Sequence, residues 1–154
     1  MILVLTGTHN QAFDRLINSV DELAENCLEK FFIQTGNSLI KPKNCKWKKF
    51  LTPIEFEKKI NESSLVITHG GAGSIINSLK NKKPTIVVPR EKKFNEHIND
   101  HQIELAEALD KEKKIVLCRN LSKLNETIKK AKKLSPPEQK NKGIIKEIEL
   151  FLGE

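Results

Sequence analysis

Leu65-Val66-Ile67-Thr68-His69-Gly70-Gly71-Ala72-Gly73-Ser74 places an apolar run, a glycine-rich turn and a helix start within one short stretch. Leu65–Thr68 is apolar throughout, as a strand covered on both faces requires, and the helix after the turn runs to about Leu79. The same rhythm repeats outward in both directions. Met1–Leu5 is a second continuous aliphatic run. After Thr6–Asn10 the period changes, and Phe13, Leu16, Ile17, Val20, Leu23, Ala24 and Cys27 fall three and four apart, on one helix face. Phe31–Gln34 predicts a strand stopped by Thr35-Gly36. Lys46–Leu51 alternates weakly and predicts another, before a helix from Pro53 to Glu62. Beyond the glycines come strands at Thr85–Val88 and Lys114–Cys118, with a helix over Asp100–Leu109 between them. Leu121, Leu124, Ile128 and Ala131 mark a further helix. Pro136-Pro137 break the chain, and Ile144, Ile145, Ile148, Phe151 and Leu152 form the stripe of a last one. Strands and helices in alternation predict an α/β fold: a doubly wound parallel sheet in a single Rossmann-like domain over residues 1–154. The helices of about 121–154 are expected to pack on it or on a partner. In such sheets ligands bind beyond the carboxyl ends of the strands, which directs attention to Thr6–Asn10, Thr35–Asn37, His69–Ser74 and Arg90–Gln102.

With 154 residues the chain is of one-domain size. Its formal net charge is +7, from 27 Lys+Arg against 20 Asp+Glu, and the excess is uneven. Residues 1–110 carry 15 basic and 14 acidic side chains, whereas residues 111–154 carry 12 and 6. A near-neutral main body argues against a nucleic-acid track, and the lone Trp47 among Lys46, Lys48 and Lys49 is no stacking platform. The longest aliphatic runs, such as Ile2–Leu5 and Ile86–Val88, fall far short of the ~20 residues of a membrane span. The apolar start lacks a basic leader, so no signal peptide is expected. Cys27, Cys45 and Cys118 are too few and scattered for a disulfide framework or a metal site, and free, buried or half-buried thiols in a reducing cytoplasm are expected.

His69-Gly70-Gly71-Ala72-Gly73-Ser74 is the most informative segment chemically. A strand-to-helix turn gathers backbone N–H groups and the positive end of a helix dipole, and glycines remove the Cβ atoms that would keep an anion away. A diphosphate suits such a corner; a tight turn without ligand is the alternative. Ser74 is the helix cap, a hydroxyl donor to phosphate, or both in different states, and His69 adds a donor. Glu96-His97-Ile98-Asn99-Asp100-His101-Gln102 brings carboxylate, amide and imidazole together, the groups that sugar hydroxyls need because each hydroxyl donates and accepts. The local alternative has Asp100 capping the helix and the histidines solvated. His97, Asp100 and His101 could ligate a metal, but nothing elsewhere completes a ligand set, so none is expected. Thr6-Gly7-Thr8-His9 shapes a nucleotide pocket or merely turns the chain.

Taken together, these segments resemble the glycosyltransferase family 28 C-terminal domain, and within it the small stand-alone PssE/EpsF type. The resemblance runs through Leu5-Thr6-Gly7-Thr8-His9, Phe13-Asp14-Arg15-Leu16, Ile33-Gln34-Thr35-Gly36, Cys45-Lys46-Trp47, Val66–Ser74, and Val88-Pro89-Arg90 leading to Phe94–Gln102. It implies the C-terminal, donor-binding half of a GT-B glycosyltransferase without its acceptor half. It further implies a heterodimer with a membrane-associated acceptor-binding subunit. Carried over by position, His69, Gly70, Gly71, Ala72, Gly73 and Ser74 would bind the donor diphosphate. Asp100, His101 and Gln102 would bind the sugar, and Thr6, Gly7 and Thr8 would lie near the nucleotide. Many relatives place a Glu on the ribose where this chain has Asn77, and the charge-assisted acceptor is then lost.

The activity implied is inverting transfer from a UDP-sugar (galactosyl, glucuronosyl or N-acetylglucosaminyl) to a lipid-linked saccharide in capsular or exopolysaccharide synthesis. It would need no metal or other cofactor, since backbone donors meet the charge on the departing diphosphate. His9 is a candidate base, although the split arrangement favours a base on the partner. The protein would be cytoplasmic, held at the inner membrane face through that partner. The alternative is a non-catalytic subunit that stabilises a membrane-bound transferase.

Overall fold

The computed structural model describes residues 1–134 and 141–151. Its elements are β1 (Ile2–Leu5), α1 (Asp14–Glu25), β2 (Phe31–Gln34), β3 (Lys46–Lys48), α2 (Pro53–Glu62), β4 (Leu65–Thr68), α3 (Ala72–Lys80), β5 (Thr85–Val87), α4 (His101–Lys111), β6 (Val116–Leu117), α5 (Leu124–Lys132) and α6 (Asn141–Phe151). The six strands form one sheet in the order β3-β2-β1-β4-β5-β6, and every pairing is parallel. The strand order reverses between β1 and β4, where a doubly wound sheet opens a crevice. Leu5 is in register with both Gln34 and Thr68, so β1, β2 and β4 end level and their following loops start side by side.

Alternation along the central strands feeds apolar clusters on both faces of the sheet. Ile2, Val4, Ile33, Ile67, Ile86 and Val88 pack under Leu16, Ile17 and Val20 of α1 and Leu124, Ile128 and Ala131 of α5. On the opposite face Leu3, Leu5 and Val66 meet Ile60 of α2. Val87 meets Ile75 and Leu79 of α3, Leu105 and Leu109 of α4, and Ile144 and Ile148 of α6. Each such aliphatic side chain removed from water contributes roughly 1.5–3 kcal/mol before entropy is counted. Both faces are covered, as the uniformly apolar strands demand.

Two expectations change in detail. The strand predicted over Lys46–Leu51 ends at Lys48, and its three residues are exposed because β3 is the sheet edge. The last stripe divides: Ile144 and Ile148 are buried against the chain's own α3 and α4, whereas Phe151 is 43% exposed. Pro136-Pro137 and Leu152 lie outside the described residues. All three cysteines are free, Cys45 and Cys118 buried and Cys27 partly so. Burial, with Asp21 nearby, pushes the Cys45 thiol up to about 12. Among the described residues no helix is long and apolar enough to cross a membrane.

Candidate functional site

At the reversal point a cavity of about 300 Å³ is lined by Gly7, Thr8, Gln34, Phe50, Leu51, Phe56, His69, Gly71, Gly73 and Ser74. Its polar corner is the start of α3. The N-cap is Gly71, in extended conformation and without a side-chain cap bond, and the first intrahelical bond runs from Ile75 N to Gly71 O at 3.2 Å. The N–H groups of Ala72, Gly73 and Ser74 therefore have no partner within the helix. Ser74 is the third residue of α3, whose N-cap is Gly71, so the cap is the role that the geometry removes. A Cβ built at Gly73 meets nothing within 4 Å, which marks that side of the turn as open space.

The other glycines around the cavity are close-approach positions. Gly7, at φ +84, lies against the His69 ring, since a Cβ there would stand 2.5 Å from Nε2, and Gly71 crowds the same ring, where a Cβ would stand 2.3 Å from that nitrogen. His69 is thus held in a slot between two Cβ-less residues. Gly36, at φ +60, packs on the Gly7 carbonyl, where a Cβ would come within 2.6 Å. At both positive-φ positions only glycine is free of strain. Gly70 is backed by Gln102, whose Cβ would be 2.5 Å from an added methyl.

Burial, with the nearby Arg90 guanidinium, pulls His69 down to about 4, so at neutral pH its ring is uncharged. It can still donate one hydrogen bond, with Thr68 Oγ1 3.3 Å from Nδ1. His9 stacks on His97, ring centroids 4.9 Å apart. Burial first, then His97 and Arg90, lowers the His9 pKa. The Gln11 N–H donates to His9 Nδ1 at 3.3 Å, which assigns the ring proton to Nε2. In that tautomer His9 donates through Nε2 and its accepting nitrogen is already taken, and it lies outside the cavity lining.

The remaining sequence candidates separate into those at the corner and those beside it. Gly7 and Thr8 line the cavity. Thr6 does not: it is fully buried, and its hydroxyl donates to Gln34 O at 2.9 Å, which fixes the loop. Asn77, on the exposed side of α3, donates its amide to Gly73 O at 2.9 Å, leaving a neutral oxygen for a ligand. Gln102 accepts from Arg90 N at 3.1 Å while it backs Gly70. Asp100 and His101 lie outside the cavity lining. Asp100 makes no cap bond to α4 and instead accepts from Lys92 N at 2.9 Å; His101 is exposed and 3.4 Å from Glu104. Among the described residues no group of three or more His, Cys, Asp or Glu could hold a metal ion.

The sequence alone misses four lining residues and one support. Gln34 ends an apolar strand and donates from Nε2 to Gly7 O at 3.0 Å; a lone amide closing such a run was its signal. Phe50, Leu51 and Phe56 form an apolar wall. Phe50 and Leu51 were hidden by the overlong strand expected before Pro53. The support is Arg90, 1% exposed beneath the loops.

An open parallel α/β domain with an uncapped, glycine-rich helix start at its strand reversal has the architecture of one half of a GT-B glycosyltransferase. The chain belongs to the glycosyltransferase family 28 C-terminal domain family, which residues 1–149 match. It is 31% identical over 128 residues to the mouse protein named UDP-N-acetylglucosamine transferase subunit ALG13, a match covering 75% of this chain and 10% of that one. The human protein of the same name is 30% identical over 128 residues, covering 76% and 11%. The chain thus spans about a tenth of these relatives. Among solved structures, the ALG13 solution structure superposes with a TM-score of 0.64 at 20% identity, covering 97% of this chain and 94% of that one. The calicheamicin glycosyltransferase CalG4 gives 0.64 at 13% identity, covering 99% and 43%. Acinetobacter baumannii MurG gives 0.55 at 16%, covering 96% and 49%.

Proposed function

We propose that the chain is the donor-binding, catalytic subunit of an inverting UDP-sugar glycosyltransferase. A separate membrane-associated subunit binds the lipid-linked saccharide acceptor, and the assembly serves capsular or exopolysaccharide synthesis in the manner of the PssE/EpsF type. The observation that carries the proposal is the uncapped α3 start beside Gly73, facing a cavity of about 300 Å³. Membership of the family and likeness to a protein named as a UDP-N-acetylglucosamine transferase subunit support it.

In this mechanism the acceptor hydroxyl attacks the sugar anomeric carbon from the face opposite the diphosphate. The carbon–oxygen bond to the diphosphate breaks, and the electron pair leaves with UDP. Charge grows on the departing oxygens, where the N–H groups of Ala72, Gly73 and Ser74 and the α3 dipole receive it. His69 contributes a neutral donor, with no repulsion between its ring and Arg90 to overcome. The base rests against Phe50, Leu51 and Phe56. Gln102 holds the sugar side beside Gly70. The acceptor proton passes to a base on the partner subunit, because the Nδ1 of His9 already accepts from Gln11.

Calorimetric titration of the isolated chain with UDP, UDP-galactose, UDP-glucuronate and UDP-N-acetylglucosamine tests the assignment. Binding of UDP and one sugar nucleotide is expected. Gly73→Asp, which places a carboxylate among the anion donors, is expected to abolish binding with the unfolding transition intact. Unchanged binding by that variant would refute the diphosphate assignment. Absence of any nucleotide binding, with activation of a partner transferase, would leave the non-catalytic subunit in its place.

A further inference from the structure

Arg90 follows β5 and is among the largest fully buried side chains. Its guanidinium donates only to main-chain carbonyls, and these come from both sides of the cleft. Nη2 donates to Thr6 O at 2.6 Å, in the loop after β1. Nη1 donates to Gln11 O at 2.7 Å and Ala12 O at 3.4 Å in the same loop, and to Glu96 O at 3.0 Å in the loop after β5. The Phe13 ring supports the group from below, 5.0 Å from Cζ. The main chain of Arg90 adds a third tether through the bond from its N–H to Gln102 Oε1, and Gln102 is what Gly70 packs against. One residue therefore joins the loop that carries Gly7, the loop that carries His97, and the residue behind the glycine corner.

Burial opposes the Arg90 charge and Glu96 favours it, but no carboxylate bonds the guanidinium directly. Glu96 is the nearby acid, but Oε1 and Oε2 each lie 2.9 Å from Arg15, and Oε2 also accepts from Glu91 N at 3.0 Å. Toward the cleft the guanidinium faces imidazoles, with both His69 and His9 feeling its field.

We propose that Arg90 is the positioning residue of this corner: it clamps the loop after β1 to the loop after β5, and so holds the His69 ring in its slot between Gly7 and Gly71. This role presupposes that the corner receives a diphosphate. The slot has no slack, because a single added carbon at Gly7 already overlaps the ring, so any drift of the Thr6–Gly7 segment displaces His69. A planar fork with donors in fixed directions does this; an ammonium on a flexible stem keeps the charge but cannot reach carbonyls on both loops at once. The buried guanidinium, partly offset by Glu96, also places positive charge behind the glycine corner.

The test uses Arg90→Lys and Arg90→Gln in the full chain, with three readouts: thermal unfolding, UDP affinity, and imidazole titration of His69 by NMR. Arg90→Lys is expected to fold and to lose at least tenfold in UDP affinity although the charge is kept. Arg90→Gln is expected to lose more and to raise the His69 midpoint, with amide shifts at Gly7 and Gly71. A folded Arg90→Lys with wild-type affinity and an unmoved His69 signal would overturn the proposal. If the wild-type chain binds no UDP, the donor-site assignment falls by itself. The His69 midpoint and the Gly7 and Gly71 shifts then still decide the role of Arg90: movement in the variants supports it, and their absence overturns it.

Discussion

Gly73 and Gly71 stand two residues apart in one turn, yet they have opposite surroundings. A methyl at Gly73 meets no protein atom, whereas one at Gly71 collides with the His69 ring. Gly73→Ala is expected to leave stability unchanged or raise it by up to about 1 kcal/mol, through helix propensity, while weakening UDP binding. Gly71→Ala is expected to lower both. Urea unfolding and nucleotide titration of the two variants separate a ligand-facing glycine from a packing one. His69 gives a second residue-level expectation. Its folded-state pKa, about 4, lies below the ordinary value of 6.5, so between those values the unfolded chain binds more protons. Stability is full above pH 6.5 and falls as the pH drops toward 4, by on the order of 3 kcal/mol. The lowered pKa of His9 adds in the same direction. Unfolding free energies measured across that range should show the slope, and His69→Gln should flatten it. The glycines and His69 were legible in the sequence because a strand, a turn and a helix start are local events. The burial of Thr6 and the buried seat of Arg90 were not, because they depend on a carbonyl of β2 and on two loops brought together only by the sheet.

At the level of elements, α2 shows how a short motif sets one wall of the cleft. Thr52 accepts from Glu55 N at 3.3 Å, and Glu55 accepts from Thr52 N at 2.9 Å, a reciprocal cap directly before Pro53. Lys48, at the end of β3, reaches the same carboxylate at 2.6 Å, and these bonds lower the Glu55 pKa to about 2. The cap therefore fixes the turn that presents Phe50 and Leu51 and the helix that presents Phe56. Thr52→Ala is expected to cost about 1 kcal/mol in urea unfolding and to weaken nucleotide binding less than tenfold. Pro53 gave away the helix start in the sequence, and α2 begins there. Lys46–Leu51 was overextended because weak alternation continues through Phe50. What halts the strand at Lys48 is the lack of a neighbour beyond it and the cap that follows, and neither appears in a hydropathy pattern. Asp100 illustrates the reverse: a residue type suited to capping sits at the α4 start, yet its carboxylate serves the Lys92 amide.

Across the molecule, the doubly wound order follows from uniformly apolar strands alternating with helices. That much was legible because parallel strands buried on both faces leave no polar alternation. Which apolar stripe faces the sheet and which faces water was not legible for the last helix. Ile144 and Ile148 join the core formed by α3, α4 and β5, so α6 is held by this chain. Ile148→Ala, which empties a site only 1% exposed, is expected to destabilise the fold by 2–5 kcal/mol in thermal or urea unfolding. Because α6 packs beside α3, the loss should also reduce nucleotide affinity, though by less than changes in the corner itself.

The outermost ribbon has a consequence for how copies of the chain behave in concentrated solution. β3 pairs with β2 alone, so its far side is a row of amides and carbonyls that another ribbon could extend. Lys46 and Lys48 flank Trp47 along that margin, and all three are exposed. A second molecule approaching there would meet the Lys46 ammonium and the Lys48–Glu55 ion pair before it could align a backbone, which discourages fibre-like stacking.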